Sequence, residues 1–369
     1  MPSSKPLRVC LVGLIAGGYS GIPRYAAALT RGLDEVSREF PELELELLTT
    51  REGAAVTSAR NIRVRDIRLH GRRVNEGPGR IALEQACAAT ARSDLLHFFD
   101  TSGPVLAPWR PFVTTVHDLS VMQGLRPRKH GYKRLLWPWA VRHASTVIAI
   151  SAFAREEAIE ILGADPGRLQ VIVSGPGLAP AGDRVVSETP ARPPFFLYVG
   201  ALGASKNLPF LIDAFDRAEL SPDVRLLLVG RPGDGYAETL AMIERSQKRD
   251  RIEIRGGVGD GELDSLYRSA IALVHPAVYE GFGFTPLEAM ARGCPVVASD
   301  IPALRETAGD GALLVAIDRP AWTEALEQAA GDDALRASLR SRGKRRVALF
   351  SWQEAARALC HVFAGHRRG

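Results

Sequence analysis

The chain has 369 residues, 46% of them hydrophobic, enough apolar material for roughly two domain cores. Its net charge of +5 and pI near 9.2 suit anionic ligands or an anionic membrane surface and are too modest to argue for nucleic acid. The scattered Cys10, Cys87, Cys294 and Cys360 form no Cys-x-x-Cys pair, and no secretory signal or membrane-length apolar run is visible, so a zinc site and a disulfide framework are not indicated and a cytoplasmic protein is expected.

Taken in chain order, Leu7 to Leu14 reads as a first strand. A glycine-rich turn, Ala16 to Gly21, follows, and then an amphipathic helix from Ile22 to Glu39. Further strand-like runs are Leu43–Thr50, Leu95–Phe99, Phe112–Asp118, Thr146–Ser151 and Leu169–Gly175. Helical stretches separate most of them, the alternation of a doubly wound α/β domain. The stretch Gly175 to Pro194 is proline-rich with little periodicity and reads as a linker. The alternation restarts at Phe195–Gly200, Val224–Gly230, Ile252–Gly256, Ile271–Pro276, Pro295–Ser299 and Ala312–Val315, and Phe350 to Phe363 reads as a last amphipathic helix. The expected domains are residues 1–180, residues 181–349, and a C-terminal helix over 350–369 that crosses back to the first. Two such domains facing a central cleft would hold a ligand there.

The stretch "YEGFGFTPLEAMARG", Tyr279 to Gly293, follows a short buried strand and opens a helix. Thr285 is expected as N-cap with Pro286 at the first helical position, Glu288 would complete a Thr-x-x-Glu capping box, and Gly293 would end the helix. Gly281 and Gly283 let the backbone approach a ligand, and the helix N-terminus favours phosphate. A phosphate would repel Glu280 and Glu288, so their partners are expected to be sugar hydroxyls, which donate to carboxylates. Eight residues with a turn, at roughly 3.5 Å each, straddle a diphosphate with a sugar at each end. The capping box alone also explains Glu288; Glu280 has no such local explanation.

Lys206 stands at the entrance of a helix for which Asn207 is the expected cap. It is either a phosphate ligand or a solvated lysine. His117 and Asp118 end a strand; a packed histidine is the default, and the strand-end position favours a cleft-facing one. The glycines Gly13, Gly17, Gly18 and Gly21 do not fit Gly-x-Gly-x-x-Gly, and the second strand ends without an acidic residue, which excludes a nicotinamide cofactor. No Asp-x-Asp occurs, so no metal clamp is expected. Between Leu119 and Arg155 there are seven Lys or Arg and no Asp or Glu. A basic surface helix is the preferred reading, and contact with anionic lipid is the alternative.

These residues resemble the group 1 glycosyltransferases, the retaining family 4 enzymes with the GT-B fold of two Rossmann-like domains. Glu280 and Glu288 match the family's Glu-x7-Glu motif inside "EGFGFTPLEAMARGCPVVASDIPALRE". "GIPRY", "TVHDLS", "IAISAF" and "FSWQEAA" also resemble family stretches, with bacterial surface-polysaccharide mannosyltransferases the nearest branch. The resemblance implies that Glu280 binds the transferred sugar beside the reacting carbon and that Gly281, Phe282, Gly283, Phe284 and Thr285 meet the sugar and diphosphate through their backbone. It further implies that Glu288 holds the ribose diol, Lys206 stabilises the departing diphosphate, His117 contacts the sugar near the acceptor, and Gly18 lets the first loop approach the phosphates. Arg231 and Val258 fall where the base pocket lies. The implied substrates are a nucleotide-sugar donor, GDP-mannose as the expected one, and a glycan or lipid-linked acceptor, with no cofactor; a cytoplasmic place is expected, with a peripheral one at the cytoplasmic face of the inner membrane as the alternative. Ala201 and Ser205 stand where many members carry arginine, a place Arg24 or Arg231 would have to fill, and Pro23 replaces a common glycine. A catalytically degenerate binding protein is the rival these departures motivate, and UDP-glucose is the rival donor.

Overall fold

The computed structural model describes residues 5–14, 21–50, 53–54, 57, 59–67, 78–124, 131–176, 193–203 and 206–368. The chain divides into two compact units. One comprises Met1–Met122, Lys129–Gly177 and Phe350–Gly369; the other comprises Gln123–Arg128 and Leu178–Leu349.

The first unit is built on seven parallel strands: β1 (Leu7–Val12), β2 (Leu43–Thr49), β3 (Arg63–Asp66), β4 (Leu95–Phe98), β5 (Phe112–Val116), β6 (Thr146–Ala149) and β7 (Leu169–Val171). Their order is β3-β2-β1-β4-β5-β6-β7. The central strands β4, β5 and β6 lack a polar alternation because helices cover both faces of such a sheet, whereas β2, Leu-Glu-Leu-Glu-Leu-Leu-Thr, alternates beside the edge. β4, β5 and β6 are buried at every position. β3, with sequence Arg-Val-Arg-Asp, has no apolar run and is not foreseen from sequence. It is an edge strand, held by its ladder to β2 and by Arg65 paired with Glu46 at 2.9 Å. The expected first helix is shorter than predicted: α1 spans Gly21–Val36, and Ser37–Glu39 tightens into a 3-10 turn.

The C-terminal helix (Trp352–Gly365) lies in this first unit, capped by Ser351 Oγ accepting from Glu354 N. It runs so close to α1 that a Cβ on Gly32 would stand 2.7 Å from the Trp352 carbonyl oxygen. Gln353 to Glu35 on α1 and Arg357 to Glu39 on the 3-10 turn after it staple the same region, at 2.8 Å each.

The second unit carries six parallel strands: β8 (Phe195–Val199), β9 (Arg225–Val229), β10 (Ile252–Arg255), β11 (Ala272–His275), β12 (Val296–Ser299) and β13 (Leu313–Val315). The order β10-β9-β8-β11-β12-β13 is that of a Rossmann sheet, with its topological switch point between β8 and β11. Phe196, Tyr198, Leu211, Phe215, Leu226 and Trp322 are fully buried in its core. Each such side chain contributes about 1.5–3 kcal/mol by leaving water. Most of the proline-rich linker lies outside the described residues. Among the described residues no helix is long and apolar enough to cross a membrane.

Gly32→Ala should therefore destabilise the first unit by about 1–3 kcal/mol, because the new methyl meets rigid backbone. Urea unfolding of the full chain measures this, and an unchanged midpoint would show that the helix pair has room to move.

Candidate active site

The loops that follow β8 and β9 are joined side by side. Leu202 N donates to Arg231 O at 2.9 Å, Gly233 N donates to Leu202 O at 3.1 Å, and Leu202 bridges Pro232. This closeness requires glycine: a Cβ on Gly230 would stand 1.7 Å from Gly200 O. The Tyr198 hydroxyl donates to Ala201 O at 2.8 Å and so pins the start of the loop. Burial, reinforced by the Glu280 charge, keeps that hydroxyl protonated. Lys206 then sits at the end of the loop with its N–H on Gly203 O at 3.0 Å. Asn207 stands at the N-cap position, as expected. Asn207 takes a left-handed backbone, φ 54°, and no side-chain bond caps the helix Leu208–Arg217. Ser205 lies outside the described residues.

Lys206 leads from β8 and Glu280 from β11, the two strands flanking the switch point. Their side chains meet: Lys206 Nζ donates to Glu280 Oε1, and His275 Nε2 lies 2.9 Å from the same oxygen. Burial alone would raise the Glu280 carboxyl. Lys206 and then His275 overcome it and hold the group well below the usual carboxylate range, so Glu280 is ionised. By sequence His275 is only part of an apolar strand. Its position at a strand end on the carboxyl edge is the same signal that singled out His117.

The helix after this loop is Phe284–Ala291, with Gly283 rather than Thr285 at the N-cap and no side-chain cap bond. The capping box is therefore not formed. Gly283 adopts φ 98°, and a Cβ there would meet Leu304 at 2.6 Å, so tertiary packing starts the helix earlier than local signals suggest. Phe282 and Gly281 are buried, and Phe284 and Thr285 are half-buried in the first turn. Gly293, at φ 70°, ends the helix as expected: its N–H donates to Met290 O, and Cys294 N to Ala289 O, both at 3.0 Å.

Freed from a capping role, Glu288 points into a buried network. Tyr267 Oη donates to Glu288 Oε2 at 3.2 Å. Arg292, buried beneath, donates to Glu288 O at 3.0 Å and to Asp264 Oδ1 at 2.8 Å, and Arg268 holds the other Asp264 oxygen at 2.7 Å. Burial and the Glu288 charge keep the Tyr267 hydroxyl protonated as a donor. Tyr267, Asp264 and Arg268 come from one helix, Asp260–Ser269, and neither they nor Arg292 are singled out by sequence. Arg231 is exposed and its Nε lies 3.4 Å from where a Gly257 Cβ would stand, so the structure brings Arg231 beside the Gly257–Val258 turn.

The first unit holds the remaining candidates. His117 is 5% exposed; its Nε2 donates to Phe99 O at 2.7 Å, and the Tyr25 ring packs edge-on at 4.5 Å. Burial lowers its basicity, so the imidazole is neutral. Asp118 accepts from Ser120 N at 3.2 Å in a tight turn. Arg24 lies on α1 and is half-buried. Gly18 is outside the described residues.

Residues 182–346 match the family of glycosyl transferases group 1, and residues 19–175 match glycosyltransferase family 4. The phosphatidyl-myo-inositol mannosyltransferase of Mycobacterium leprae is 31% identical over 294 residues, 73% of each chain. This chain belongs to the group 1 glycosyltransferases. The O-antigen chain mannosyltransferase B of Escherichia coli is 28% identical over 261 residues, 65% of this chain and 67% of that one. Of three further curated relatives, the chain spans 54–58% of the length. The sucrose-phosphate synthase structure from Thermosynechococcus elongatus covers 99% of this glycosyltransferase and 100% of its own chain at TM-score 0.76 and 22% identity, a likeness of fold that places both in the GT-B class.

A carboxylate held below its ordinary value of 4.5 stabilises the fold above that value and loses the contribution as pH falls through its lowered one. Lys206→Met should therefore be less stable than wild type at pH 7, with the difference shrinking as pH drops below about 4.5. Thermal melts from pH 7 to 3 check this; a difference that stays constant would show that Lys206 does not stabilise the Glu280 charge.

Proposed function

We propose that this glycosyltransferase moves a hexose, mannose from GDP-mannose, to a hydroxyl of a glycan or lipid-linked acceptor, with retention of configuration and without a metal. The observation that carries the reading is the convergence of Lys206 and the ionised Glu280 at the switch point of the second sheet. Mannosyltransferases among its relatives at about 30% identity favour mannose. Lys206 is the cation for the donor's diphosphate, aided by the uncapped N-terminus of Phe284–Ala291 and the backbone from Gly281 to Thr285. Glu288, oriented by Tyr267, takes the ribose diol, with Arg231 and Val258 beside the base. Glu280 takes hydroxyls of the transferred sugar. As the bond from sugar carbon to phosphate oxygen breaks, its electron pair goes to the leaving diphosphate. The acceptor oxygen bonds to the carbon on the same face, and its proton passes to the leaving phosphate oxygen. Stabilising the diphosphate as it departs is the main catalytic demand. His117, Asp118 and Arg24 are the proposed acceptor-side residues, and Gly18 the close approach of the first loop.

The acceptor reading extends to peripheral contact with the cytoplasmic face of an anionic membrane. The helix Lys133–His143 exposes Leu135 at 79%, and the first unit also exposes Trp109 at 80%. Arg134 is exposed beside Leu135, while Arg126, Arg128 and Lys129 lie outside the described residues. Apolar and cationic groups together suit an anionic bilayer surface.

GDP-mannose should raise the melting temperature of wild type without added metal, and Lys206→Ala should abolish the shift. Glu280→Ala should lower transfer roughly a hundredfold or more, the cost of two charge-assisted hydrogen bonds. A shift with UDP-glucose instead would reassign the donor, and binding without turnover would favour a degenerate protein. Sedimentation with vesicles rich in anionic phospholipid should fall on Leu135→Ser with Arg134→Ser; equal binding to neutral vesicles would defeat the membrane reading.

A further inference from the structure

His275 is the most deeply set member of the Lys206–Glu280–His275 group. Its side chain is 2% exposed, against 17% for Lys206 and 18% for Glu280. Nε2 faces Glu280 Oε1 at 2.9 Å, while Nδ1 is buried with no hydrogen-bond partner among the described residues. A carboxylate only accepts, so the ring proton is on Nε2. The ring is thus a donor to Glu280 through Nε2–H, fixed at the end of β11.

Lys206 reaches the same oxygen from a loop, on a flexible four-carbon stem. The two donors therefore differ in kind: one belongs to the sheet, and the other can swing away. Under the transferase reading above, Lys206 must neutralise the donor's diphosphate. It cannot serve a phosphate oxygen and Glu280 at full strength together. Once it left, a mostly buried carboxylate would need another donor to stay ionised and in place.

We propose that His275 is a positioning residue, whose Nε2–H holds the Glu280 carboxylate while Lys206 exchanges from Glu280 to the donor's phosphate oxygens; this rests on the transferase reading. Both side-chain bonds to Glu280 end on Oε1, which leaves Oε2 for a sugar hydroxyl.

The test is steady-state transfer by the full chain with His275→Leu, His275→Gln and His275→Asn. Glutamine places an amide N–H near the position of Nε2, and asparagine near that of Nδ1. His275→Leu should lower kcat about 10- to 100-fold and change the donor KM less than about threefold, since the donor is bound but the sugar is poorly held. His275→Gln should recover kcat to within about fivefold of wild type, and His275→Asn should not. Wild-type kcat in His275→Leu, or equal rescue by asparagine, overturns the proposal. If the leucine variant fails to fold, the glutamine–asparagine pair decides. A wild type that transfers no sugar defeats the transferase reading instead. Long-range proton–nitrogen NMR of the imidazole then decides on His275: a proton on Nε2 whose shift moves in Glu280→Gln supports the hold, and a ring whose only proton is on Nδ1 overturns it.

Discussion

Glu280 Oε1 is the atom around which the site is arranged. An ionised carboxylate that is mostly removed from water is costly unless donors meet it, and here two do, one from each side of the switch point. The convergence is a consequence of topology. β8 and β11 are far apart in sequence yet adjacent in the sheet, so the loops that leave them open beside each other at the carboxyl edge. A lysine after one strand and a glutamate after the other are neighbours by construction. The same geometry explains why the pair is strong enough to outweigh burial at the carboxyl.

The second carboxylate is supported by different means. Glu288 depends on Tyr267, Arg292 and Asp264, a buried, hydrogen-bonded set that ties two helices together. Such a set gives up its geometry only at high cost, because removing one member strands a charge. The loop between the glutamates therefore has one fixed end and one end whose cation can leave. Glycines make both ends possible: Gly200 and Gly230 bring two loops into contact, and Gly283 turns the chain into the helix against Leu304 and Thr307.

Legibility of the sequence follows how local each cause is. The inner strands were readable because a sheet covered on both faces demands unbroken apolar runs, and their centres stand where those runs lie. β3 was not, since its stability comes from pairing with β2 and from Arg65 on Glu46 rather than from its own composition. Glu280 and Lys206 could be named from spacing and strand ends. The cap at Thr285 failed because residues distant in sequence, Leu304 and Thr307, set where the helix begins, whereas Asn207 holds its expected N-cap place without a side-chain bond. Tyr267 and Arg292 carry no local signal at all. His275 carried one, its place at a strand end, and was hidden by the apolar residues before it.

The departure at Ala201 now has a physical meaning. Its carbonyl is tied to the Tyr198 hydroxyl, and no side chain there reaches toward a phosphate. In the proposed reaction Lys206 consequently has two tasks, neutralising Glu280 when the site is empty and the diphosphate when it is full. A family member with an additional arginine at this edge could divide those tasks between two cations. Here the donor's phosphates must compete with Glu280 for one lysine, which weakens donor binding by the strength of that pair. The same competition means that the carboxylate is left to the His275 imidazole at the moment the sugar must be oriented. With Lys206 shared in this way, the site places more weight on the fixed donor at the end of β11.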